Sequence, residues 1–468
     1  KQRPHHNAGP DDLLFREFIY SQEQASFDSR KRLVDALRDH ARAHGREVAF
    51  CTNAADLGSV NPGGHWVRAL MFADIFDLFI YEQNVEPIGM TSDEVMKYPR
   101  GKWIAYHKLA HAIHHRRAPA VIHAGAMGRL IQQGLLGGKS INTWLAVQSA
   151  EAYAANGAYV QYYIEPKPLK MFFDKFWMGS AKHAAFVQAH RDMYEGDLRS
   201  GSPLALVFLM NERGRTIPAV YPSYLGFAQG LAECHIPFDV VFAGDGHYVE
   251  DRLARDDLKH YQTLIVPSPL APTRNQQRVI GDFVRDGGTI VCHEPGCFGF
   301  SRADDASQPG DLAGCEEIFR HGKGRVAVLR GDISETWTDD IGSNYFKTYE
   351  PELRAQVGTL AQSLGISPLI SGEDKGLIGA FPVRQPALKR LVLHLVNYDV
   401  DYAKDAIREK RDVAINVLRP DFLPEHVIAR LYSAEKDAQS LDIVASDDAL
   451  QISVPHLGVW ATIAVTGE

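Results

Sequence analysis

Short apolar runs separated by helix-length segments recur as far as Arg330, and this alternation constrains the fold more than any single motif does. Leu33 to Ala43 predicts an amphipathic helix, followed by a strand from Glu47 to Asn53. Asp77 to Glu82 predicts a second strand and Trp103 to His115 a helix. Ala120 to His123, entered through Pro119, predicts a third strand. A helix from Thr143 to Ala155 closes at Gly157, and Tyr159 to Ile164 predicts a fourth strand. The aromatic-rich stretch from Met171 to Tyr194 reads as a helix that packs this layer onto the next.

From Pro203 the alternation resumes. Leu204 to Leu209, Phe238 to Phe242, Thr263 to Pro267 and Thr289 to Cys292 are predicted strands. Tyr224 to Cys234 and Gln276 to Arg285 are predicted helices, the second stopped by Gly287-Gly288. The pattern is that of an open, doubly wound α/β sheet. From about Leu369 the period changes to short strands: Arg390 to Asn397, Asp412 to Leu418, Val427 to Tyr432, Ala449 to Val454 and Val459 to Val465. Few helical signals separate them, so a small antiparallel β-sandwich is expected. The predicted division is 1–202, 203–368 and 369–468.

A length of 468 residues agrees with such a division, at about 100–200 residues per domain. The 45% hydrophobic content excludes a disordered or fibrous chain. No apolar run approaches the roughly 18 residues that span a bilayer, so a soluble protein without a membrane partner is expected. A net charge of −8 without basic blocks argues against nucleic acid as a partner. Five scattered cysteines do not make a disulfide framework and lean towards a reducing, cytoplasmic setting. The sequence starts at Lys1 with neither Met nor signal peptide, as a processed or trimmed product would.

Several stretches carry a family resemblance: Leu264-Ile-Val-Pro-Ser268, Gln276 to Gly288, Thr289-Ile-Val-Cys292, His394-Leu-Val-Asn-Tyr398, Ser453-Val-Pro-His-Leu457, and Ala150 to Tyr159. In this order they resemble beta-galactosidase-type glycoside hydrolases. In those, a (β/α)8 barrel is followed by a glutamine-amidotransferase-like trimerisation domain without that activity, then by a β-sandwich. The implied fold is therefore the C-terminal part of a (β/α)8 barrel, an amidotransferase-like sheet and a sandwich. A whole barrel takes about 250 residues, and only about 200 precede the second region. The four predicted strands would correspond to the fifth to eighth of a barrel. The resemblance further implies a homo-oligomer, a trimer in the family, or a companion chain supplying the front half of the barrel.

Barrel catalytic residues sit at the C-terminal ends of strands. Those ends carry Asn53, Glu82 with Gln83, His123, and Tyr162 with Glu165. Glycoside hydrolysis commonly uses two carboxyl groups, and Glu82 closes the strongly apolar run Leu78-Phe-Ile-Tyr81. It reads as a catalytic or substrate-binding carboxylate, or else as a structural ion pair. The family nucleophile would fall where His123 and Gly125 stand, whereas Glu82 falls on the sixth strand, where relatives bind substrate. Trp66, in the Gly63-Gly64-His65-Trp66 loop, is suited to stacking on a sugar face or to filling core. The expected function is hydrolysis of a galactoside-like or other oligosaccharide. The alternative is a non-catalytic carbohydrate-binding or assembly subunit with a degenerate barrel.

Two other clusters are read as structural. His107, His111 and His114 share a helix face, but the general-base Glu of the zinc protease motif H-E-x-x-H is absent. They are expected on a solvated outer face, with no metal. Cys292 and Cys297 flank Pro295-Gly296, which spoils the helix start that a catalytic elbow requires. No Gly-x-Gly-x-x-Gly fingerprint follows a strand, and no cofactor is expected.

Overall fold

The computed structural model describes residues 13–54, 75–82, 103–114, 120–122, 142–160, 181–210, 217–246, 249–267, 272–301, 312–330, 351–371, 377–401 and 404–467. It is a mixed α/β structure. The first layer is a four-stranded parallel sheet of β1 (Cys51–Ala54), β2 (Leu78–Glu82), β3 (Ala120–Ile122) and β4 (Ala158–Val160), in that order. Helices α1 (Leu13–Ala43), α2 (Trp103–Ile113) and α3 (Asn142–Ala154) accompany it. The helix α1 extends well before the expected Leu33, and residues 47–50 are not strand. Asn156, rather than Gly157, takes the left-handed conformation (φ 55°) after α3. Asparagine tolerates that region better than most residues.

The second layer is a six-stranded sheet, with β5 (Leu204–Leu209), β6 (Asp239–Ala243), β7 (Thr263–Val266) and β8 (Thr289–Cys292) parallel. The hairpin β9 (Cys315–His321) and β10 (Gly324–Leu329) completes it, giving the order β6-β5-β7-β8-β10-β9. Every residue of β5 is buried, as a strand covered on both faces must be. Helices α4 (Ile217–Glu233), α5 (Arg255–Leu258), α6 (Arg274–Arg285) and α7 (Pro351–Ser363) belong to this region. Thr273 caps α6: its hydroxyl accepts from the Gln276 amide, and its own amide donates to the Gln276 side chain. The same Gln276 donates to the Gly244 carbonyl at 2.6 Å, fastening the helix start to the end of β6.

The third layer is antiparallel. One sheet runs β11-β16-β20-β19, formed by Ile370–Ser371, Lys410–Leu418, Ala449–Leu457 and Ile443–Ala445. The facing sheet runs β12-β13-β21-β17-β18, formed by Ile378–Gln385, Arg390–Asn397, Trp460–Gly467, Val427–Tyr432 and Gln439–Leu441. A short hairpin pairs β14 (Val400–Asp401) with β15 (Ala406–Ile407). The two sheets enclose an apolar core that includes Leu393, Ile415, Leu450 and Ile463, each fully buried side chain stabilising by about 2 kcal/mol.

A second apolar cluster runs without a break from Val34 through the six-stranded sheet to Trp460. The first layer therefore packs onto both of the others. Helix α2 lies inside this junction. Lys108 donates to the Phe238 carbonyl at 2.8 Å, and Tyr224 donates to the Ala105 carbonyl at 2.7 Å. The expected solvated face is corrected accordingly: His107, His111 and His114 are buried, and a His111 ring nitrogen lies 2.6 Å from the Ala155 carbonyl. Among the described residues no helix is long and apolar enough to cross a membrane.

Candidate active site

The mouth of the first sheet is built by strand register. Glu82 is the last residue of β2 and stands level with Ile122 of β3, which in turn stands level with Val160 of β4. Asn53 stands level with Ile80, two residues before Glu82. Positions two apart on a strand, and positions in register across a parallel pair, share one face of the sheet. Asn53, Glu82, Ile122 and Val160 therefore form one set of register positions at the C-terminal edge. Trp66, Gln83, His123, Tyr162 and Glu165 lie outside the described residues.

Behind that sheet, α3 presents a polar seam to the sandwich. Thr143 binds Asp405 twice, its amide donating to the carboxylate at 2.8 Å and its hydroxyl to the carbonyl at 2.6 Å. Further along the helix, Glu151 is buried, and neither carboxyl oxygen has a hydrogen-bond partner of ordinary geometry. Burial pushes its pKa up to about 8, with the nearby Tyr398 hydroxyl opposing the rise. Buried Gln148 leaves its side-chain oxygen unpartnered too. Unpaired groups of this kind are where ordered water is found in folded proteins.

Aromatic rings close the seam. Trp460 meets Phe186 edge-on at 5.1 Å, His183 at 5.3 Å and Tyr194 at 6.1 Å, and stacks on Tyr153 at 6.3 Å. Tyr194 stacks on His394 at 4.5 Å, and the His394 Nδ1 lies 2.9 Å from the Thr462 hydroxyl. Burial lowers the His394 pKa to about 3 and that of His183 to about 4, so both rings are neutral at physiological pH. Ser149 lies 2.8 Å from His183 Nδ1, a nucleophile–base spacing. Both residues are buried, so the pair does not face solvent.

Cys292, at the end of β8, is likewise sealed, and burial raises its thiol pKa far above the ordinary value. A thiol in that state is not a nucleophile. Among the described residues no group of three His, Cys, Asp or Glu side chains is arranged to hold a metal. Glu151 is not among the residues expected from the sequence. Its only signal was a carboxylate in the small, apolar run Ala150-Glu-Ala-Tyr153, where one face of the helix must carry the charge inward.

Neither a scan against protein-family models nor a search of curated proteins finds a match. Solved structures do match. The chain is similar to the beta-galactosidase from Bacillus circulans sp. alkalophilus, with a TM-score of 0.58 and 12% identity over 98% of this chain and 68% of that one. It is similar to a catalytic mutant of Gan42B, a GH42 beta-galactosidase from G. stearothermophilus, with a TM-score of 0.55 and 12% identity over 98% and 69%. The beta-galactosidase from Rahnella sp. R3 gives 0.53 and 13% over 96% and 70%. The fold is thus one that glycoside hydrolases use, and the chain spans about two thirds of the length of these enzymes.

Proposed function

We propose that this chain is a glycoside hydrolase acting on a galactoside-like or other oligosaccharide, with Glu82 as its catalytic or substrate-binding carboxylate. The observation that carries the reading is the position of Glu82 at the C-terminal end of an inner strand of a parallel sheet, in a fold shared with beta-galactosidases. A carboxylate closing an apolar strand is costly unless it meets solvent or a polar ligand. Asn53, Trp66, Gln83, His123, Tyr162 and Glu165 are proposed to bind the sugar around it. The first sheet is proposed to be the rear part of a (β/α)8 barrel within 1–202, followed by an amidotransferase-like unit over 203–368 and a sandwich over 369–468. No step is assigned to a cofactor.

Turnover on a panel of nitrophenyl glycosides tests the reading. The parent chain is expected to release nitrophenol, and Glu82→Gln to cut the rate by about a hundredfold or more. Equal rates for the two would remove Glu82 from the chemistry.

A second reading is a non-catalytic carbohydrate-binding or assembly subunit. It is favoured by the count of strands in the first sheet, four among the described residues, where a closed barrel needs eight. The edges at β1 and β4, which no strand among the described residues pairs, would then be covered by another copy or by a chain carrying further strands. Sugar binding without turnover, together with a light-scattering mass above that of a 52.0 kDa monomer, is the expected outcome for this reading.

A further inference from the structure

A cavity of about 660 Å³ opens at the N-terminal edge of the six-stranded sheet, beside the starts of β7, β8 and β10. Five cationic side chains line it: Arg255, Lys259, Arg320, Lys323 and Arg325. The one carboxylate in the lining, Asp286, is held by Arg255. Lys259 reaches Asp256 at 3.3 Å. Arg320, Lys323 and Arg325 are exposed, and no ion pair engages them among the described residues. This concentration of positive charge stands on a chain whose net charge is −8.

The strand register sharpens the point. Arg320 of β9 and Arg325 of β10 are direct cross-strand partners. Like charges set opposite each other destabilise an antiparallel pair, and Lys323 adds a third cation in the two-residue turn between the strands. Charged residues on an edge strand guard against unwanted pairing. That role accounts for Arg320 on the outermost strand but not for Arg325, which lies on the strand inside it. An anion between the two guanidinium groups removes the repulsion, and each planar fork can bind a tetrahedral oxyanion through two N–H donors.

We propose that this cavity binds a small ligand carrying two or more sulfate or phosphate groups, gripped by Arg320, Arg325 and Lys323. Its volume falls in the range of small-molecule sites, about 300–1,000 Å³. It lies at the opposite end of the strands from the crevice where open α/β sheets usually bind ligands. The site is independent of the glycosidase reading, and its tests read binding rather than turnover.

Calorimetric titration of the whole chain with pyrophosphate and with a disulfated disaccharide tests it, lactose serving as the uncharged control. One or both anions are expected to bind at one site per chain, weakening as salt rises, and lactose to give no signal at this site. The stronger binder identifies phosphate or sulfate as the source of the charge. Arg325→Gln and Lys323→Gln are each expected to weaken binding about tenfold or more. Arg320→Glu separates ligand binding from folding, because it places a carboxylate opposite Arg325. It is expected to raise the melting temperature and to abolish anion binding. The proposal is overturned if neither anion binds, or if binding survives unchanged in Arg320→Glu and Arg325→Gln.

Discussion

The carboxyl group of Glu151 on α3 is sealed against the sandwich beside the hydroxyl of Tyr398, and no cation among the described residues balances it. Its pKa is pushed up to about 8 by burial, from 4.5 when exposed. Between those values the folded chain keeps a proton that the unfolded chain releases. Stability contributed by this group is therefore intact below about pH 4.5 and lost as pH rises towards 8. Glu151→Gln keeps the shape and removes the titration. It is expected to be more stable than the parent by about 3 kcal/mol at pH 7, with a smaller gain at pH 5. Urea unfolding at the two pH values measures this, and equal gains at both would show that Glu151 does not titrate there.

Asp399 shows the opposite sign. Burial alone would raise its pKa, but hydrogen bonds from Lys410 at 2.6 Å and Arg408 at 2.9 Å hold it below the usual carboxylate value. The stability it contributes is present above about pH 4 and lost as pH falls through the lowered pKa. Lys410→Met leaves a largely buried carboxylate with Arg408 as its remaining partner. A loss of about 2 kcal/mol at pH 7 is expected, shrinking in acid as the carboxylate becomes neutral. A deficit that stays constant from pH 7 to pH 3 would assign the effect to packing instead.

Gly324 opens β10 where the hairpin comes closest to α6. A Cβ there would stand 2.1 Å from the Val284 carbonyl oxygen and 2.2 Å from that of Gly288. Both obstacles are backbone, so the strand itself must move. Gly324→Ala is expected to cost about 3 kcal/mol, read as a lowered urea midpoint. Gly296→Ala, with open space around its Cβ, serves as the control and is expected to change little.

Legibility in the sequence followed burial. The apolar run Leu204–Leu209 and the segment Thr289–Cys292, with three apolar residues after Thr289, form strands at the limits expected of them, because short apolar runs between turn residues admit few alternatives. Arg390–Asn397 and Val427–Tyr432 behave alike. The hairpin β9–β10 was not anticipated, since Glu316, Glu317, Arg320 and Arg325 dilute its apolar pattern. The solvated face expected of helix α2 fails for a related reason. A histidine's polarity suggests solvent, whereas contact with α4 and β6 decides its burial. At the candidate active site, β2 ends at Glu82 as the local pattern predicts and β1 runs one residue past Asn53, while the other two expected strand ends lie outside the described residues. Which side chains converge there depends on contacts between distant segments, to which local periodicity is blind.

Thiol chemistry gives a last prediction, about which layer is reactive. Cys51 on β1 is exposed, Cys234 and Cys297 are half-buried, and Cys292 and Cys315 are buried. Burial lifts the Cys292 thiol far above its ordinary pKa and that of Cys315 to about 11, Arg330 partly opposing the second shift. The thiolate is the species that attacks an alkylating reagent, so exposure and pKa act in the same direction at both buried sites. Iodoacetamide at pH 8 on the native chain is expected to label Cys51 first and Cys297 more slowly. Cys292 and Cys315 are expected to stay unlabelled until denaturant is added, at rates about a hundredfold or more below that of Cys51. Peptide mass mapping over a time course reads all the sites together. Early labelling of Cys292 would mean an accessible thiolate at the end of β8, and would reopen that strand end as a place for nucleophilic chemistry.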